Sequence, residues 1–257
     1  MQDPSTEAAR SLAEALRRRP RTLVLTGAGA STEAGLPDWR GPSGIWRSRD
    51  PRQVASLTAL EYNPVEFYQF YRHRLATLRG ARPGPAHRAL AALERAGYIH
   101  WLVTQNVDGL HQAAGHKTVI EVHGSLRSAR CHRCGAPYPI EAVDVDVEDA
   151  ADIPRCPCGG VIRPNIVLFE EVLPHDAVHA AFAAAEEADL CLVVGSSLQV
   201  GPVNLLPRLV ADHGGEVAII NLMPTPFDHL ARWLVPAKAG EVLAEVAREL
   251  GVEVPRE

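Results

Sequence analysis

The chain has 257 residues, 46% of them hydrophobic and 22% charged, enough to bury a substantial core in one large domain or a large domain with a small insert. A formal net charge of −5 argues against direct nucleic-acid binding, and the longest clean apolar runs, such as LCLVV (190–194), are strand-sized and too short for a membrane span. The opening MQDPSTEAAR has neither a basic nor an apolar leader region, so the expectation is a soluble, cytoplasmic protein.

In chain order, the first predicted helix has Asp3 as N-cap, Pro4 in its first turn and SLAEALRR following. The run TLVLT (22–26) reads as a buried strand and leads into GAGAS (27–31). Glycine there lets a ligand approach closely and can present backbone N–H groups to a phosphate. Threonine at position 32 replaces the third glycine of the usual dinucleotide fingerprint, and no strand-end acid follows about twenty residues on. The segment is therefore a variant diphosphate loop or a tight turn. Residues 35–80 then hold the loop GLPDWRGPSGIW and a helix beginning near Val65, after Pro64. At helical spacing Phe67, Phe70, Tyr71, Leu75 and Leu78 share one face, with Glu66, Gln69 and His73 opposite. Arg74 falls inside the apolar stripe. Either it snorkels to the edge of the core, or it lines a pocket that takes an anion.

Beyond position 80, predicted helices at 87–97, 176–188 and 240–250 alternate with the strands HWLVT (100–104), TVIEV (118–122), DLCLVV (189–194) and EVAII (216–220). This alternation places the chain in the α/β class, with a Rossmann-like parallel sheet and helices on both faces. Two segments interrupt it. Residues 35–80 and the proline-rich, strand-poor stretch 126–168 are expected to form a small lobe with a helical and a zinc-binding module; residues 1–34, 81–125 and 169–257 form the large domain. Each strand ends in small or hydrogen-bonding residues: GAGAS, QNVDG (105–109), HGS (123–125), GSS (195–197) and NL (221–222). Ligands of doubly wound sheets bind at that end. His123 is a candidate general base there, or a strand-capping residue; Asn106 and Asp108 are candidate polar contacts, or turn formers.

Four of the five cysteines cluster as Cys131-x-x-Cys134 and Cys156-x-Cys158, while Cys191 sits alone in a buried strand. Four thiolates suit a closed, structural tetrahedral Zn2+ site; disulfides or free thiols are the alternatives.

Taken together, GAGAS, GLPDWR (35–40), TQNVDGLH (104–111), EVHGS (121–125), the cysteine pairs, RPNIVLF (163–169), GSSLQV (195–200) and the late NL resemble the sirtuin family, in the family's order and over residues 22 to 250. The resemblance implies an NAD-binding large domain, a zinc-bearing small lobe, and a cleft where NAD meets an acyl-lysine protein or peptide. It implies transfer of the acyl group to ADP-ribose, giving nicotinamide, free lysine and 2′-O-acyl-ADP-ribose, with His123 as base and Asn106 and Asp108 in the catalytic pocket. It further implies that Ala28, Gly29, Ser31 and Arg40 line the phosphate and ribose path, that Asp38, Asn106 and Asp108 hold the nicotinamide pocket, and that Gln105 contacts the ribose. Ser196, Ser197, Asn221 and Ala239 would hold the adenosine half, with Gly27, Ala30, Trp39, Val107, Gly195, Leu222 and Met223 completing the cofactor contacts. Val167, Leu168 and Phe169 would offer a strand edge to the peptide. Tyr71 and Arg74 match a Tyr-x-x-Arg pair of the branch that removes succinyl and malonyl groups, so acidic acyl-lysines are expected substrates beside acetyl-lysine.

Three positions depart from the family pattern: Trp39 replaces a usual phenylalanine, Glu170 a usual glycine, and the second cysteine pair is CxC rather than CxxC. Two rival functions share the cofactor, a mono-ADP-ribosyltransferase and an NAD-sensing zinc-ribbon scaffold without turnover.

Overall fold

The computed structural model describes residues 4–41 and 44–255; the Asp3 cap lies outside them. The elements are α1 (Pro4–Arg18), β1 (Thr22–Thr26), α2 (Pro51–Val54), α3 (Leu57–Tyr62), α4 (Pro64–Arg79), α5 (Pro85–Arg95), β2 (Trp101–Thr104), α6 (Leu110–Ala113), β3 (Val119–Glu121) and β4 (Gly124–Cys131). They continue with β5 (Pro137–Pro139), β6 (Ile162–Ile166), α7 (His175–Glu187), β7 (Leu190–Val194), α8 (Leu206–Asp212), β8 (Glu216–Ile220), β9 (Trp233–Val235) and α9 (Ala239–Leu250). No helix among the described residues is long and apolar enough to cross a membrane.

Six strands form a parallel sheet in the order β3-β2-β1-β7-β8-β9. Every residue of β1 and β7 is buried, because apolar side chains on both faces meet helices. Leu12, Leu16, Leu90, Leu93, Leu243 and Val246 from α1, α5 and α9 cover one face. Ala181, Ala185, Leu206 and Val210 from α7 and α8 cover the other. A third core joins α2, α3 and α4 to a smaller sheet.

That smaller sheet corrects the expectation of a strand-poor cysteine region: β5, β4 and β6 form an antiparallel sheet in that order. Its period-two burial, with Leu126, Ala129 and Cys131 inward, is interrupted by an irregularity in register between Gly124 and Ala129. Pro164 lies on the edge strand β6, where a missing N–H costs no ladder bond. Helix α4 buries the predicted stripe of Phe67, Phe70, Tyr71 and Leu75. Tyr68, beside that stripe, is also fully buried and donates to the Ile162 carbonyl at 2.6 Å, tying the helix to β6.

Candidate functional site

In the six-stranded sheet the strand order reverses at β1 and β7, and the crevice beyond their carboxyl ends is where doubly wound folds take ligands. A cleft of about 990 Å³ opens there and runs between the two sheets. The turns leaving β1 and β7 touch backbone to backbone: a Cβ on Gly29 would lie 2.7 Å from Gly195 Cα. The N–H groups of Gly27, Gly29 and Ala30 donate to Val194 O, Gly195 O and Gly27 O. Those glycines therefore serve close packing, and three of the N–H groups expected to face a phosphate are already engaged. Ala30 itself is fully buried behind the loop and does not line the cleft.

The other expected cofactor residues do line it: Gly27, Ala28, Gly29, Ser31, Asp38, Trp39, Arg40, Gln105, Asn106, Val107, Asp108, Gly195, Ser196, Ser197, Asn221, Leu222, Met223 and Ala239. Ser196 Oγ donates to Gln105 Oε1 at 2.6 Å, linking the ends of β7 and β2. The backbone N–H of Gly240, in the first turn of α9, donates to Glu33 at 2.6 Å, so Ala239 is held at the rim by the 3₁₀ segment after β1. The Arg40 guanidinium has no ion pair among the described residues, and burial pulls its pKa below the usual value. An anion is its natural complement.

Beside these residues runs a polar chain centred on a histidine that the sequence analysis assigned no role. The Gly84 N–H donates to His87 Nδ1 at 3.1 Å, which places the ring proton on Nε2, 3.3 Å from Ser31 Oγ. Ser31 Oγ in turn donates to Asp108 Oδ2 at 2.7 Å, and Asn106 Nδ2 donates to Ser31 Oγ and Gly27 O. Asn106 and Asp108 are thus fixed by one network, and Asp108 also forms the turn, its Oδ1 accepting from Leu110 N at 2.9 Å. Burial holds His87 neutral, pulling its pKa down to about 4. Only the fold reveals this link, because residues 31, 87 and 108 are distant in sequence.

His123 lines the cleft from the turn between β3 and β4. Its Nδ1 lies 2.9 Å from the Gln105 carbonyl, an obligate acceptor, so Nδ1 carries the proton and Nε2 keeps a lone pair. Burial lowers its pKa, with a smaller push the same way from Arg40 against the raising effect of the Gln105 bond. The ring is neutral near pH 7 and fit to accept a proton.

On the other side of the cleft lie Tyr71, Arg74, Val167, Leu168 and Phe169. Arg74 is half-buried and forms no ion pair among the described residues. Burial lowers its pKa, and Tyr71 and Asp108 oppose the shift. Its guanidinium lies 4.4 Å over the Trp39 ring. The segment 167–169 is less open than a bare strand edge: its N–H groups donate in turn to His123 O, Glu171 Oε2 and Ala55 O. Fully buried Arg163 secures the segment through an ion pair with Glu171 and a 2.8 Å bond to Ile166 O. Glu170 adopts φ 76°, a left-handed conformation that explains glycine as the usual residue there. Its carboxylate accepts from Thr58 N and Oγ1, both at 2.9 Å, and is thereby engaged at the start of α3.

Away from the cleft, the sulfurs of Cys131, Cys134, Cys156 and Cys158 lie within 4.8 Å of one another. Two of the separations are 3.5 and 3.7 Å. Sulfurs about 2.3 Å from a tetrahedral zinc stand roughly 3.8 Å apart, whereas a disulfide needs about 2.05 Å. The Cys134 N–H donates to Cys131 Sγ and lowers that thiol's pKa. The four residues fit one Zn2+ with no position left for substrate, and the CxC spacing does not prevent it.

Residues 27–202 match the model of the Sir2 family. A "NAD-dependent protein deacetylase 1" of Geobacillus kaustophilus is 47% identical over 231 residues, 89% of this chain and 93% of that protein. A "NAD-dependent protein deacetylase" of Caldivirga maquilingensis is 44% identical, covering 95% of this chain and 94% of that one. Among solved structures, a Sir2 protein with a p53 peptide and NAD+ superposes with a TM-score of 0.84 at 38% identity, over 94% of this chain and 98% of the other. A Sir2 variant with a deacetylated p53 peptide and 3′-O-acetyl ADP ribose gives 0.88 at 39% identity, over 95% and 99%. The chain belongs to the Sir2 family.

Proposed function

We propose that this Sir2-family chain is an NAD-dependent protein-lysine deacylase that releases nicotinamide and free lysine and forms 2′-O-acyl-ADP-ribose. The observation that carries the reading is His123, a neutral imidazole with its Nδ1 proton committed to Gln105 and Nε2 open at the switch-point crevice. Bound NAD supplies the ADP-ribose that accepts the acyl group. Arg40 neutralises the diphosphate; Asn106 and Asp108, fixed through Ser31 and His87, orient the nicotinamide end. With NAD and acyl-lysine bound, the acyl oxygen would displace nicotinamide at C1′ of the ribose, and Nε2 of His123 would take the proton of a ribose hydroxyl as that oxygen attacks the acyl carbon. Lysine then leaves and one water adds, so that C1′ ends with a hydroxyl and the ribose oxygen carries the acyl group. The apolar lining from Leu126, Ile166 and Leu168 excludes water from the acyl-lysine. In this reading the large domain takes NAD, the small lobe completes the cleft, and four reduced thiolates on zinc suit the cytoplasm.

The same site supports a finer reading, in which acidic acyl groups, succinyl and malonyl, are substrates beside acetyl. Arg74 and Tyr71 face the cleft together, and the arginine forms no ion pair among the described residues, Asp108 acting on it only from a longer distance. A desolvated guanidinium gains nothing from a neutral acetyl group and gains two parallel hydrogen bonds from a carboxylate. Nicotinamide release is to be measured with acetyl-, succinyl- and malonyl-lysine peptides. The expected result is NAD-dependent turnover with all three. Arg74→Met should lower kcat/KM for succinyl-lysine by about 10²-fold while sparing acetyl-lysine. Turnover of acetyl-lysine alone would remove the acidic-acyl reading, and no nicotinamide release from any of the three would remove the deacylase reading.

A further inference from the structure

The Arg74 side chain ends one side of a four-membered stack. Its guanidinium lies 4.4 Å from the centroid of Trp39. Trp39 stacks on Trp46 at 4.6 Å with an interplanar angle of 18°. Trp46 stacks on Phe70 at 6.0 Å and 23°. Phe70 and Arg74 are one helical turn apart on α4, so the helix brackets the paired indoles, with an arginine at one end and a phenyl ring at the other. The loop carrying the indoles is built for this approach. Trp46 N donates to Trp39 O, Ile45 N donates to Asp38 O, and a Cβ on Gly44 would meet the Trp39 carbonyl carbon at 2.5 Å.

This geometry stabilises a half-buried cation that forms no ion pair among the described residues. An indole face attracts a guanidinium more strongly than a phenyl face does, and most when water is excluded. A stacked guanidinium also keeps all its N–H donors in its own plane, directed away from the ring. We propose that Trp39 is a specificity-determining positioning residue, which holds the guanidinium of Arg74 by its face and presents the N–H edge to the carboxylate of an acidic acyl-lysine. The inference rests on the acidic-acyl reading and extends it, because it assigns to the loop tryptophan the fixing of the cation that selects the acyl group. It also gives a reason for tryptophan where phenylalanine is usual: the larger ring spans both the guanidinium and Trp46.

The test is the ratio of kcat/KM for succinyl-lysine over acetyl-lysine on one peptide, since any general damage to the cofactor loop cancels in that ratio. Trp39→Leu should lower it about 5- to 30-fold, and Trp39→Phe, which keeps a weaker ring face, about threefold. In an Arg74→Met background, Trp39→Leu should leave the ratio within about twofold, because the cation that it positions has gone. Thermal melting of each variant identifies one that fails to fold; Trp39→Phe, with the smaller change, then carries the test alone. A ratio that responds to Arg74→Met and not to either Trp39 variant overturns the inference and leaves the acidic-acyl reading standing. A ratio that falls equally with and without Arg74 also overturns it. A ratio unmoved by Arg74→Met sinks both.

Discussion

At the scale of single residues, His123 shows how a neutral imidazole with a free Nε2 is placed beside a strand end. The Gln105 carbonyl fixes the tautomer and burial keeps the ring neutral. His123→Ala should lower turnover by about 10²–10⁴-fold while NAD binding persists, measured by acyl-ADP-ribose formation and by calorimetry. Near-normal turnover of that variant would dismiss the assignment. Because the pKa is depressed below the ordinary histidine value, the active neutral form persists to lower pH than for a free imidazole; kcat/KM should fall only on the acid side of pH 6.5. The sequence made His123, Asn106 and Asp108 legible because they follow strands in recognisable motifs. It did not show His87 as their support, because a hydrogen bond across 56 residues has no local signature. The departures became interpretable only in three dimensions: Glu170 engages Thr58, and Trp39 lies under Arg74.

At the scale of elements, the knuckle formed by Cys131, Cys134, Cys156 and Cys158 brings the end of β4 beside the chain entering β6. Binding energy at a closed four-thiolate site is folding energy. Cys156→Ser should therefore reduce zinc content and lower the melting temperature by many degrees, with atomic absorption and calorimetry as the measurements. An equally stable variant with no zinc would refute a structural role. The parallel strands were readable as apolar runs, because coverage on both faces demands them. The antiparallel sheet was not. Its strands carry arginine and proline: Arg163 is buried because Glu171 and the Ile166 carbonyl satisfy it, and Pro164 lies on an edge. Side-chain partners far away in sequence override local propensity there.

Across the whole molecule, His87, His111 and His116 pack ring to ring beneath the site, with centroids 4.8 and 5.2 Å apart. Burial depresses the pKa of all three, that of His87 to about 4. The folded state thus binds fewer protons than the unfolded chain below the ordinary histidine pKa, so stability is fully present above pH 6.5 and lost as pH falls toward 4. The loss from His87 alone is on the order of 2 kcal/mol between pH 7.5 and pH 5, read by urea titration at those two values. Unchanged stability between those two values would contradict the shared burial. The parallel sheet was legible in outline, since the strand alternation can be read from the chain; the second sheet and the cleft between the two were not, because they are made by contacts distant in sequence.

His123 is tied to both sheets at once, from the turn between β3 and β4. Its ring is bonded to the Gln105 carbonyl at the end of β2, and its own carbonyl accepts from Val167, just past β6. The residue is a rivet through two plates, and neither plate fixes it alone. The molecule therefore cannot be parted between its two sheets without loosening this imidazole. A cut that parts the sheets frees the imidazole from one of its two seats.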